Sequence, residues 1–167
     1  MREAQRVEFE WVFRSTYHSL LRTTYLILHD RGRAEEVTQD AFVRLCERWR
    51  GITRIDHPGA WVRQVAIRKA IRQAKWSRLR FAEAPSTDEP SAWDHLPDVD
   101  LAKAIASLSA QQRAVVALYY LEDLPVDEVA QLLEVSISTV KQHLHRARAR
   151  LADLLSEVSD EVAGDVD

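Results

Sequence analysis

The sequence predicts an all-α protein: two small helical domains joined by an acidic linker. Three observations lead there. Apolar residues recur every three or four positions along most of the 167 residues, with no strand-like alternation. Only four glycines and five prolines interrupt the chain, and three of those prolines (Pro85, Pro90 and Pro97) fall in one short stretch. The charge is also divided into blocks. A net charge of −3 conceals seventeen basic and nine acidic side chains in residues 1–80, six acidic and no basic ones in 81–100, and the same six-to-none ratio in 152–167. Such segregation points to a basic working surface and separate acidic connectors.

The first helix carries Phe9, Phe13, Tyr17, Leu20, Thr24 and Leu28 as one stripe. Asp30-Arg31-Gly32 is expected to end it, with Gly32 in a left-handed position. A second helix is expected from Arg33 to Arg50, with Val37, Ala41, Leu45 and Trp49 on one face and Gly51 as its stop. His57-Pro58 opens a third, because proline is accepted in a first helical turn. Residues 1–81 thus form the first domain. The proline-containing acidic stretch 82–100 reads as the linker, and residues 101–155 form the second domain.

In that second domain Leu101, Ile105 and Leu108 resume a helical stripe, and Ser109-Ala110-Gln111-Gln112 is a capping box that starts a new helix. That helix is expected to bury Val115, Val116, Leu118 and Tyr119 and to end near Glu122-Asp123, and Leu124-Pro125 starts a short one. The acidic tail 156–167 has little apolar content and is expected to fray.

The stretch from Val126 to Leu144 fits a helix-turn-helix. Ala130 is small where two helices must cross closely, Val129, Leu133, Val135, Val140 and Leu144 would fill the wedge, and Ser136 can cap the second helix. Glu134 stands at the turn where glycine is usual, at a cost of about 1 kcal/mol. The second helix would present Ser138, Thr139, Lys141, Gln142, His145 and Arg146 outward, followed by Arg148 and Arg150. Hydroxyl, amide and guanidinium groups read base edges in a major groove, while cations hold phosphates.

The first half carries a second cationic surface. From Pro58 to Arg80 stand Arg63, Arg68, Lys69, Arg72, Lys75, Arg78 and Arg80 with no acidic residue. Trp61 and Trp76 are interleaved with them, Trp61 read as core and Trp76 as able to stack on an exposed base. The preceding helix has the opposite character, with Glu35, Glu36, Gln39, Asp40 and Glu47 outward beside Arg44 and Arg48.

Taken together, these segments resemble the extracytoplasmic-function (ECF) sigma factors of bacterial RNA polymerase, over about Glu8 to Leu155. Residues 33–42, Arg-Ala-Glu-Glu-Val-Thr-Gln-Asp-Ala-Phe, are similar to that family's acidic helix. Residues 57–66 are similar to the start of its minus-ten helix, and Leu108 to Arg113, Val129-Ala130, Thr139-Val140-Lys141 and Arg146-Ala147-Arg148 to its minus-thirty-five reader. Where many members have an asparagine and then an aspartate in the minus-ten helix, this chain has Arg68 and Arg72. The resemblance implies roles. Glu35, Glu36, Gln39 and Asp40 would dock on core polymerase. Arg63, Arg68, Lys69, Arg72, Lys75 and Trp76, with the loop from Gly51 to Pro58, would engage the minus-ten element. Ser138, Thr139, Lys141, Gln142, His145, Arg146 and Arg148 would read the minus-thirty-five element of promoter DNA. An anti-sigma protein is the further partner it implies.

Other classes fit less of the chain. A stand-alone helix-turn-helix regulator accounts for residues 126–150 but leaves the basic helix and the acidic face without a task. An enzyme is not expected: His18, His29, His57, His95, His143 and His145 are scattered, and neither a phosphate loop nor a metal-spaced cluster is present. No cofactor and no metal are therefore expected. No apolar run reaches a membrane span, the first residues lack an apolar signal core, and the single Cys46 cannot make an internal disulfide, all of which suggests the cytoplasm.

Overall fold

A computed structural model describes residues 3–50, 56–80 and 99–164, and all regular structure among them is helical. The chain divides into two compact units, Met1–Glu83 and Ala84–Asp167. The loop expected at Gly51 to Pro58 lies outside the described residues as far as Ile55, and the expected linker does so as far as Asp98.

The first unit is a three-helix bundle of α1 (Glu3–Leu28), α2 (Arg31–Arg50) and α3 (Pro58–Arg80). Each helix buries one stripe at helical spacing: Val12, Thr16, Leu20, Thr24 and Ile27 on α1, Ala34, Val37, Ala41 and Leu45 on α2, and Val62, Ala66, Ala70 and Ala74 on α3. The stripe on α1 is displaced from the expected one. The aromatic rings of that face pair with one another instead: Phe13 and Tyr17 stack at 4.8 Å, and Phe13 meets Phe42 edge-on at 4.9 Å. Thr24 and Thr38, both fully buried, join α1 to α2 through hydroxyls 3.0 Å apart, and Thr24 also donates to the Leu21 carbonyl at 3.0 Å.

The joint between α1 and α2 corrects one expectation. The left-handed residue is His29 (φ 54°), not Gly32, which lies inside α2. Asp30 decides this: its Oδ1 accepts from the Arg33 amide at 2.9 Å and its carbonyl from the Ala34 amide at 3.0 Å, so α2 starts at Arg31, two residues early.

The second unit begins with α4 (Val99–Ala106), two residues before the expected start at Leu101, followed by α5 (Ala110–Val116), a π-helical turn (Ala117–Leu121), α6 (Val126–Leu133) and α7 (Ile137–Gly164). The capping box forms: Ser109 Oγ accepts from the Gln112 amide at 3.2 Å, and Gln112 Oε1 accepts from the Ser109 amide at 3.0 Å. Arg113 covers carbonyls left open beyond α4, donating to Ala106 at 3.1 Å and Leu108 at 2.8 Å. Leu108, Val116 and Ala147 form a buried cluster with Leu151 against it. Helix α7 runs on into the acidic tail as far as Gly164, since helical hydrogen bonds propagate from a formed helix without a new nucleus.

Candidate nucleic-acid interface

The helix-turn-helix is α6, its turn and the start of α7. Val129, Ala130, Val140 and Leu144 are buried in the wedge between the two helices, while Leu133 and Val135 are half-buried at its rim. Glu134 is left-handed (φ 55°, ψ 45°). The Val135 amide reaches the Ala130 carbonyl at 3.0 Å and the Glu134 amide reaches Gln131 at 3.2 Å, the paired bonds of a Schellman motif. These two bonds satisfy the end of α6 and turn the chain into α7.

Ser136 then caps α7, its Oγ accepting from the Thr139 amide at 3.1 Å. The same oxygen lies 2.8 Å from the hydroxyls of both Ser138 and Thr139, so three hydroxyls are held as one group at the helix tip. With 3.6 residues per turn and Val140, Leu144 and Ala147 inward, Ser138, Gln142 and His145 centre the outward face. Lys141 and Arg148 run along one edge of that face, and Arg146 and Arg150 along the other. All of these are exposed; Thr139 is half-buried. The arrangement places hydrogen-bonding groups between two lines of cations, the order in which a major groove presents bases between two phosphate strands.

Arg148 has a further set of contacts. Its Nε donates to the Tyr120 hydroxyl at 2.6 Å, and its guanidinium lies 5.6 Å from the Tyr120 ring and 5.8 Å from the Tyr119 ring. The hydrogen bond to Tyr120 favours the charged guanidinium still further. Tyr120 was not marked in the sequence as a functional residue, because it sits 28 positions away inside what reads as a core helix.

On the first unit, α3 exposes Arg72, Lys75 and Trp76, the last 58% accessible, and holds Arg63, Arg68 and Lys69 half-buried. Side chains of Arg78 and Arg80 lie outside the described residues. Trp61 is half-buried under Arg48 of α2, 5.5 Å from its ring centroid. Arg33 reaches across from α2 to the Ser77 hydroxyl, and also lies 3.4 Å from Asp30.

The acidic set on α2 is not uniform. Glu36 and Gln39 are exposed, Glu35 pairs with Arg31 at 3.0 Å, and Asp40 pairs with Arg44 at 3.1 Å and with Lys69 at 3.0 Å. The Lys69 hydrogen bond holds the Asp40 carboxyl below its ordinary pKa, against partial burial acting the other way, with Arg44 adding to the lowering. Two residues given separate tasks by sequence, Asp40 and Lys69, thus form one bridge between α2 and α3. Among the described residues no group of three or more His, Cys, Asp or Glu is placed to hold a metal ion, and no helix is long and apolar enough to cross a membrane.

Comparison with known proteins follows the same division. Residues 12–79 match the sigma-70 region 2 model and residues 98–151 the sigma-70 region 4 model. The RNA polymerase sigma-E factor of Streptomyces antibioticus is 33% identical over 162 residues, covering 93% of this chain and 88% of the relative. The ECF RNA polymerase sigma factor SigM of Mycobacterium tuberculosis is 30% identical over 159 residues, covering 90% and 78%. Among solved structures, the sigma factor RpoE, in complex with the anti-sigma factor NepR from Bartonella quintana, matches with a TM-score of 0.68 at 23% identity, over 89% of this chain and 97% of that one. That match shows the fold. Joined to a sequence match at 33% identity over nearly the whole length, it gives the conclusion that this chain belongs to the ECF sigma factors of bacterial RNA polymerase, a family of transcription initiation factors and not of enzymes.

Proposed function

We propose that this chain binds core RNA polymerase through α2, engages the minus-ten promoter element through α3, and reads the minus-thirty-five element with α7. The observation that carries the reading is the outward face of α7: Ser138, Gln142 and His145 between two edges of cations, on a helix whose other side is buried in a wedge. Exposed Glu36 and Gln39 form the docking surface on α2. Arg72, Lys75 and Trp76 are the groups of α3 able to take phosphates and an unstacked base. Capture of unstacked bases offsets a few kcal/mol of unstacking, so strand opening needs no catalytic group. Two modest DNA modules on one chain gain affinity through effective concentration, which leaves the free factor a weak promoter binder.

An anti-sigma protein is the inhibitor this reading implies, in keeping with the solved relative's partner, and the cytoplasm is its place of action. Run-off transcription from a promoter library with bacterial core polymerase tests the proposal. Specific starts should occur only when this protein is added. A chain that binds a short palindromic duplex tightly by itself, and gives no starts with core enzyme, would instead be a stand-alone helix-turn-helix regulator.

A further inference from the structure

The Tyr120–Arg148 contact points to a role beyond holding two helices together. The π-helical turn Ala117–Leu121 directs two adjacent tyrosines toward one guanidinium, with their rings perpendicular (87°) and 4.9 Å apart. Turns of this kind are uncommon, and they frequently occur at functional sites. Tyr120 is 56% accessible, so its ring contributes little to the core that Leu118 and Val115 fill beneath it. Its hydroxyl fixes Nε of Arg148, and the two rings restrict the plane of the fork. An arginine with Nε engaged and its plane set still has its terminal nitrogens to offer to a phosphate, and it surrenders less side-chain freedom on doing so. Arg148 lies 11 positions beyond the first residue of α7, about 16 Å along the helix, on the edge it shares with Lys141. With α7 seated in a major groove, as proposed above, a phosphate strand would border that edge.

We propose that Tyr120 is a positioning residue for promoter binding: it pre-orients Arg148 of α7 to take a DNA phosphate beside the minus-thirty-five element. The inference rests on the promoter-reading assignment of α7 and names a residue outside it.

A double-mutant cycle on the full-length protein with core polymerase tests it, with a duplex selected by that holoenzyme from a randomised library as probe. Tyr120→Phe keeps the ring and removes only the hydroxyl. It should weaken the complex about 3- to 10-fold with an unchanged melting temperature, and should have less than about 1.5-fold effect in an Arg148→Ala background. Arg148→Ala should lower the slope of log affinity against log salt by about 0.9, the loss of one phosphate contact. Equal losses from Tyr120→Phe in both backgrounds, or no loss in either, would overturn the positioning role while leaving the α7 assignment standing. A wild-type holoenzyme that selects no duplex would remove the promoter reading itself, and this role with it.

Discussion

The Lys69 ammonium of α3 donates a 3.0 Å hydrogen bond to the Asp40 carboxylate of α2, and Arg44 reaches the same oxygen at 3.1 Å. Side-chain exposures of 22% for Lys69 and 34% for Asp40 place the bridge at the bundle surface, where such pairs contribute up to about 1 kcal/mol. The Asp40 pKa lies below its ordinary 3.8, mainly through the Lys69 hydrogen bond. A lowered carboxylate pKa stabilises the fold fully above the unfolded value, and that contribution is lost as pH falls through the folded one. Asp40→Asn should therefore lower the stability of the first unit at neutral pH by up to about 1 kcal/mol. Its deficit should begin to shrink as the pH drops below about 4 and should vanish only below the lowered pKa that Asp40 has in the folded state. Urea melts followed by tryptophan fluorescence at both pH values measure this, and a deficit that persists in acid would argue against the ion pair as its source.

Glu36 is exposed on the face of α2 assigned to polymerase docking. Reversal to arginine places like charge where an attractive one is needed, and Glu36→Arg should weaken core-polymerase binding about tenfold or more. Titration of labelled protein with core enzyme measures it. Affinity equal to the parent's would take Glu36 off the docking surface.

On α7, Lys141 and Gln142 should separate into phosphate holding and base reading. Lys141→Ala is expected to weaken binding to every duplex alike and to reduce the salt slope by about 0.9. Gln142→Ala should instead relax preference at one base pair, by about 1–3 kcal/mol, with the slope unchanged. Holoenzyme binding to a panel of single-base variants at several salt concentrations distinguishes the two patterns.

Glu134 and Ser136, two residues apart in the turn, predict shifts of opposite sign. Glycine at position 134 relieves a left-handed side chain, and Glu134→Gly should stabilise the second unit by about 1 kcal/mol. Ser136→Ala removes the oxygen that caps α7 and should cost about 1 kcal/mol. Amide hydrogen exchange at the buried Val129 and Val140 reports the change within that unit.

Features that follow from local rules were legible in the sequence. The Ser109 capping box, the left-handed Glu134, the Ser136 cap and the inward Val140 and Leu144 all depend on neighbours within a few positions. One local competition was misjudged, and features that depend on distant neighbours were not legible. Glycine made Gly32 the natural left-handed candidate, but Asp30, a competing local signal, fixed the start of α2 and moved the bend to His29. Asp40 and Lys69 read as members of two different sites because the bridge between them spans 29 positions. Tyr120 went unmarked because nothing near it in the sequence announces Arg148.

The length of α7 has a consequence of its own. Its 28 residues make a rod of about 42 Å, with Lys141, Arg146, Arg148 and Arg150 toward the leading end and four carboxylates, Asp153, Glu157, Asp160 and Glu161, toward the other. The backbone dipole adds a positive pole at the same leading end. In the field of a polyanion this rod experiences a torque like a compass needle's, drawn in by one end and repelled by the other. Collisions with DNA would thereby be biased toward the approach that seats the residues proposed to read it, and added electrolyte should blunt that bias before it touches the final fit.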